Sequence, residues 1–173
     1  MSIHIIIDGY NLIRQSDSLY TLDRRDIQLG RKSLLDTLAA YKRIKRHKIT
    51  VVFDGSNAPY FSQLKDQMKG IKIKFSRSEE SADTVIKRMV ARERERALVV
   101  SSDLDVVNFA TSKGAATISS TEFEEKIAMS SHMDTEWIEN EDSSGWIPTT
   151  KKKGPSRRLS KKQRRDRIKI RKL

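Results

Sequence analysis

Five short apolar runs set the frame of this chain, and acids stand just past four of them. Ile3–Ile7 ends on Asp8, and Ile49–Phe53 ends on Asp54. Ala97–Val100 leads through Ser101 and Ser102 to Asp103, and Ile71–Phe75 is followed by Asp83 at the start of a helical pattern. Ala115–Ile118 is the fifth run. Amphipathic stretches separate the runs, and strands alternating with helices imply right-handed crossovers and a mostly parallel sheet. In open α/β sheets the ligand crevice lies beyond the carboxyl ends of the strands. Carboxylates gathered there repel one another unless a divalent cation joins them, and hard oxygen donors suit Mg2+ or Mn2+.

The helical stretches are read from spacing. Leu34, Leu35, Leu38 and Tyr41 recur at helical intervals and predict a helix over 27–46. Arg43, Lys45 and Arg46 crowd its end, where the helix dipole favours cations. Residues 55–59 carry turn chemistry, and a short helix is expected near 61–69 before Gly70. In 71–75 the apolar Ile71, Ile73 and Phe75 alternate with lysines, as on an edge strand with one wet face. Ser81 is placed to cap a helix carrying Val85, Ile86, Met89 and Val90. A further helix over 106–112 stops at Gly114. Thr121 and Glu124 are spaced as a capping box for a last helix ending near Met129.

Charge divides the chain. From Lys151 onward there are thirteen Lys and Arg against one acid, Asp166, whereas the preceding residues hold equal numbers of bases and acids. The whole net charge of +12 therefore sits in the last segment, as in a polyanion-binding arm. The domain reading is a body over 1–129, an acidic linker over 130–150 containing Trp137 and Trp146, and a basic, disordered tail over 151–173. Thiolate metal sites and disulfides are excluded because cysteine is absent. The five mostly apolar residues between Met1 and Asp8 are too few for a signal peptide, and no run has membrane-spanning length, so the expected compartment is the cytoplasm.

Each acidic motif has a structural reading beside the chemical one. Asp8-Gly9 and Asp54-Gly55 are turn pairs as well as candidate ligand positions. Asn11 caps the next element or reaches a substrate phosphate. Glu80 and Asp83 form the acidic first turn of a helix or face a ligand from it. Ser101-Ser102-Asp103-Leu104-Asp105 is the most specific motif, with two hydroxyls and two carboxylates at a strand-to-helix turn; its plainer reading is an N-cap. A metal held by such carboxylates lowers the pKa of bound water and needs no cysteine or histidine nucleophile. His4, His47 and His132 have no ligand spacing; His4 reads as a strand residue and the other two as surface residues. No Walker loop or dinucleotide fingerprint is present.

At these residues the chain resembles the NYN domain, a branch of the PIN-like nucleases. The matching segments are Ile5-Ile6-Ile7-Asp8-Gly9-Tyr10-Asn11-Leu12-Ile13, Val51-Val52-Phe53-Asp54-Gly55, Glu80-Ser81-Ala82-Asp83 and Ser101-Ser102-Asp103-Leu104-Asp105. The resemblance spans residues 3–128 and is greatest to the YacP-like branch, some of whose members are ribosome-associated endoribonucleases. It implies an α/β/α sandwich with a parallel sheet, which with the five apolar runs gives a three-layer fold around a mostly parallel, five-stranded sheet; nothing carries over to the basic C-terminal tail. It also implies RNA cleavage dependent on Mg2+ or Mn2+. By motif position Asp8, Asp83 and Asp103 are the central ligands, with Asp54 and Asp105 supporting the metals directly or through water. Asn11 and Ser101 fall to orienting substrate or ligands; by their own chemistry the Ser101 and Ser102 hydroxyls are placed to bond a phosphate oxygen or to orient the carboxylates.

The tail adds a binding expectation of its own. Arg157, Arg158, Lys161, Lys162, Arg164 and Arg165 are placed to neutralise RNA phosphates, with strongly salt-dependent affinity. Its few apolar residues argue against a membrane role. The expected partners are RNA and the ribosome. Two other readings stay open at this point: a noncatalytic RNA- or ribosome-binding adaptor, and a structure-specific DNA nuclease. The adaptor leaves unexplained why four acids stand at strand ends.

Overall fold

A computed structural model describes residues 3–55, 67–77, 79–136 and 160–173, with the backbone alone at 131–136. The elements run β1 (His4–Asp8), α1 (Gly9–Gln15), α2 (Asp17–Arg25), α3 (Ile27–Lys45), β2 (Lys48–Phe53), β3 (Gln67–Met68), β4 (Ile71–Phe75), α4 (Ala82–Glu93), β5 (Ala97–Val100), α5 (Leu104–Ser112), β6 (Ala116–Ile118), α6 (Ser120–Glu136) and α7 (Lys161–Arg171). Among the described residues six strands lie in the order β3-β4-β2-β1-β5-β6. All pairings are parallel except that of β3 with β4. The chain winds outward from β1 through β2 to β4, then crosses back to β5 on the other side. The crevice of such a sheet opens where the winding reverses, between β1 and β5.

Strand parity sorts the core into two layers. Ile5, Ile7, Val51, Phe53 and Ile73 face a cluster with Leu12, Leu34, Leu38 and Phe123 from α1, α3 and α6. Ile6, Val52 and Val99 face Val85, Ile86 and Val106 from α4 and α5. The central strands are buried on both faces, which is why they read as unbroken apolar runs. The result is the expected α/β/α sandwich, with six strands in place of five.

Several local expectations are corrected. Residues 67–68, read as the end of a helix, form β3, so β4 is flanked by a two-residue antiparallel partner and is not the outermost strand. The rest of that expected helix and most of the preceding turn lie outside the described residues. Residues 9–25, to which no helix was assigned, carry α1 and α2. Helix α6 begins at Ser120 and continues to Glu136, and its first turn is capped by the Ser119 hydroxyl, which accepts from the Glu122 amide at 3.1 Å, in place of the Thr121 box. His47 is buried, with Nε2 3.3 Å from the Lys172 carbonyl.

The largest difference concerns the basic segment. Residues 161–171 form α7, opened by a Ser160–Gln163 capping box. The helix lies beside the edge strand β6 and across the end of the sheet where the strands begin. It is tied to Glu95 by Arg165 and Lys169, and Lys162 Nζ donates to the Thr111 carbonyl at 2.6 Å. The Tyr41 hydroxyl donates to the Leu173 carbonyl at 3.1 Å, and the Leu173 side chain, 4% exposed, joins the core. A few apolar residues suffice because Ile170 and Leu173, three apart, enter a core already built by α3 and α6. Trp137, Trp146, Arg157 and Arg158 lie outside the described residues.

Leu173→Ala is expected to lower stability by about 2–3 kcal/mol through the lost apolar contacts and the cavity left behind. The check is the urea midpoint of the full chain. An unchanged midpoint is what a free tail would give, and would contradict docking of α7.

Candidate active site

The cleft of about 240 Å³ at the carboxyl end of the sheet is lined by Asp8, Tyr10, Asn11, Arg14, Asp54, Ser81, Ala82, Asp83 and Asp103. Four acids far apart in sequence thus meet around one space. The local reason is the same at three of them. Asp8 is the N-cap of α1, Asp83 sits in the first turn of α4, and Asp103 is the N-cap of α5. Three helix N-termini, with their unpaired amides and partial positive charge, therefore point toward the acids.

Capping occupies only part of each carboxylate. Asp8 Oδ1 accepts from the Asn11 amide at 3.1 Å and Oδ2 from the Ser101 hydroxyl at 3.4 Å. Asp103 Oδ1 accepts from the amides of Asp105 and Val106 at 2.7 and 3.3 Å, and its Oδ2 has no hydrogen-bond donor among the described residues. An ionised carboxylate offers about four lone-pair sites, so both groups retain capacity for a further ligand.

Glycine follows two of these acids because of crowding. A Cβ on Gly9 would collide with the Phe53 ring, and one on Gly55 with the carbonyl oxygen of Ser76. Neither residue has a positive φ, so the Asp-Gly pairs are close approaches of the backbone, not the sharp turns their composition suggests.

The electrostatics record uncompensated negative charge. Burial, helped by the charges of Asp83 and Asp103, pushes the Asp8 carboxyl up to about 6, against hydrogen bonds from Asn11 and Ser101 that pull it down. Burial and then Asp103 raise Asp83 too, with Lys87 opposing. The donor set is all oxygen, which fits a hard divalent cation. As they stand, no three of the described acidic or histidine side chains close tightly enough to hold an ion. The cleft fits such an ion by donor type and charge.

The other sequence-derived residues take varied places. Asp105 lies outside the cleft lining and pairs with Lys87 of α4, its carboxylate 74% exposed. Ser101 is buried and works on the acids, donating to Asp8 and accepting from the Asp103 amide at 3.1 Å. Asn11 Oδ1 accepts from the Ser102 amide at 2.9 Å and the Ser120 hydroxyl at 2.7 Å, while Ser102 Oγ accepts from the Ser120 amide at 3.2 Å. These two residues join α1, the β5–α5 turn and α6. Glu80 pairs with Arg88 and does not line the cleft. Lys161, Lys162, Arg164 and Arg165 stand on α7, at the opposite end of the sheet from the acids.

Tyr10 and Arg14 were missed. They are four apart on α1, with the Arg14 guanidinium 5.9 Å from the Tyr10 ring centre. Helical spacing from Tyr10 would have found Arg14, had α1 been recognised. Beneath them Arg31, 3% exposed, lies 5.3, 5.6 and 5.2 Å from the ring centres of Tyr10, Phe53 and Phe75, and donates through Nε to the Tyr10 hydroxyl at 2.8 Å.

Comparison with known proteins places this architecture. Two crystal structures of Rae1 (YacP) from Bacillus subtilis superimpose with TM-scores of 0.67 and 0.66, the second being a tryptophan-to-leucine mutant. They are 22% and 19% identical to this chain; the first covers 80% of each chain, the second 79% of this chain and 81% of that one. At such identity they establish a shared fold. No curated protein matches significantly. The family model for the YacP-like NYN domain matches residues 5–172, so the relationship extends through α7 and not only to residue 128 as the four motifs suggested. This chain therefore belongs to the YacP-like NYN domain family.

Proposed function

We propose that this protein is a divalent-metal-dependent endoribonuclease. The observation that carries the reading is the gathering of Asp8, Asp54, Asp83 and Asp103 in one cleft at the reversal point of a nuclease-type fold. An RNA-binding surface without a metal would gain nothing from four acids that repel phosphate. The YacP-like assignment supports a nuclease acting on RNA, and its ribosome-associated members extend the proposal to mRNA on the ribosome.

Asp8, Asp83 and Asp103 would hold Mg2+ or Mn2+, with Asp54 beside them. Such an ion would supply charge neutralisation and Lewis acidity toward a phosphodiester and a water. The chain's own residues set the geometry. Ser101 and the Asn11 amide fix the rotamer of Asp8, and the first amides of α5 fix Asp103. Arg14, the cation lining the cleft, is placed to hold a phosphate oxygen of the substrate.

The test uses the purified full chain and end-labelled RNA, free and on ribosomes. Cleavage is expected with Mg2+ or Mn2+, to stop with chelator and to return on adding metal. Binding without cleavage across these metals and substrates would overturn the proposal in favour of an adaptor.

A further inference from the structure

A second polar groove lies on the same face of the sheet as Asp8, between β4 and α4. Strand β4 buries Ile71 and Ile73 on one face and exposes Lys72 and Lys74 on the other. Helix α4 packs over β1, β2 and β5. It stops short of β4, so the sheet on this side lacks its outer layer among the described residues. The space left is about 200 Å³, walled by Lys72 and Lys74 on the strand and by Arg88 and Arg92 on the helix, with Lys48 at its foot.

Its charge is not internally balanced. Lys48, Lys72, Lys74 and Arg92 make no ion pair among the described residues, whereas Arg88 pairs with Glu80. The acid in the lining, Glu93, lies 3.4 Å from His4 and 3.9 Å from Arg96. Lys72 and Lys74 are about 7 Å apart along the strand; Arg88 and Arg92 rise about 6 Å along the helix. Two facing rows of cations at similar intervals suit a chain of regularly spaced anions.

The groove is aligned with the cleft. Lys74 is in register with Val52, and Val52 with Asp8. Two strand spacings separate Lys74 from Asp8, about 10 Å, and both side chains project to the α4 side. A strand leaving the acids toward β4 meets Lys74 first, then Lys72 and Arg92, descending toward Lys48.

We propose that this groove is an RNA-backbone track that holds the single strand continuing out of the acidic cleft. It rests on the ribonuclease reading for the identity of the strand, and it places substrate binding on β4 and α4, apart from the cations of α7. The narrow space takes one backbone and not a duplex, so single-stranded segments are the favoured substrate.

The test is fluorescence anisotropy in chelator, where no cleavage occurs, with 5′-labelled oligouridylates of 4 and 16 nucleotides. The triple variant Lys72→Gln, Lys74→Gln, Arg92→Gln is expected to weaken 16-mer binding about tenfold or more in low salt. The slope of log K against log salt should shrink by about 2, since each phosphate contact on a single strand contributes about 0.7. The 4-mer, which the metal-free cleft repels and which spans too few groove cations to be held firmly, should bind weakly to parent and variant alike. The comparison variant neutralises three exposed cations of α7, Lys161→Gln, Arg164→Gln and Arg167→Gln, and should have a smaller effect on the 16-mer. All three groove side chains are exposed, so circular dichroism should match the parent. An unaltered 16-mer affinity and slope, or an equal loss from the α7 variant, would overturn the track. Because the readout is binding, a failure of metal-dependent cleavage would leave this result interpretable.

Discussion

Asp8→Asn is expected to slow RNA cleavage by roughly 10²–10³-fold while making the metal-free protein more stable above pH 6. The kinetic loss follows if Asp8 is one of the three proposed metal ligands of the cleft. The gain in stability comes from the same burial. The carboxyl titrates at its ordinary 3.8 when unfolded and at about 6 in the fold. The folded state therefore holds its proton longer, so stability falls as pH rises between those values. Above about pH 6 the loss is complete, on the order of 3 kcal/mol.

Asparagine carries no such cost, although it cannot fully replace the oxygen that accepts from Ser101. In chelator at pH 8 the variant should therefore unfold later than the parent, by roughly 1–3 kcal/mol, and the advantage should vanish below pH 4. Added Mg2+ should raise the parent's melting temperature more than the variant's. Undiminished cleavage would remove Asp8 from the chemistry. An advantage independent of pH would show that the gain has another origin.

Arg31→Ala is expected to destabilise the fold by about 3–5 kcal/mol. Its guanidinium fills the space among Tyr10, Phe53 and Phe75, so truncation opens a cavity among three rings. It also deprives the buried Tyr10 hydroxyl of a partner that donates through both Nε and Nη2. Arg31→Met restores most of the volume among the three rings and should recover a good part of the loss, because the cavity is filled again. Urea unfolding of both variants decides the matter. A cost below about 1 kcal/mol for alanine would mean that the rings close over the gap.

The parallel strands were legible because burial on both faces leaves an apolar run with little ambiguity. The acids past their ends were legible because helix N-termini and ligand positions favour the same residue types. What sequence concealed were elements whose apolar surface is small or shared. Helix α2 buries Leu19 and little else. Strand β3 has two residues, too few for any period. Helix α7 reads as a cation run because its apolar contribution is concentrated in Ile170 and Leu173, and the pocket that receives them is formed by Tyr41 and its neighbours more than a hundred residues earlier. Asp105 follows the same logic: its motif position suggests the cleft, but Lys87 on the adjacent helix draws it aside. Arg31 had no signal at all, since a lone arginine on an amphipathic helix ordinarily faces water.

The amide at position 11 keeps one more charge out of the cleft. Both groups that reach Asn11 Oδ1 are donors, so an aspartate there would satisfy them equally well and match in volume. It would also add a fifth anion beside a carboxyl that burial and neighbouring acids already push up to about 6. The neutral side chain keeps three segments of backbone joined without deepening the repulsion among the carboxylates. The choice of amide over acid at this position spares the cleft one charge at no loss of bonding.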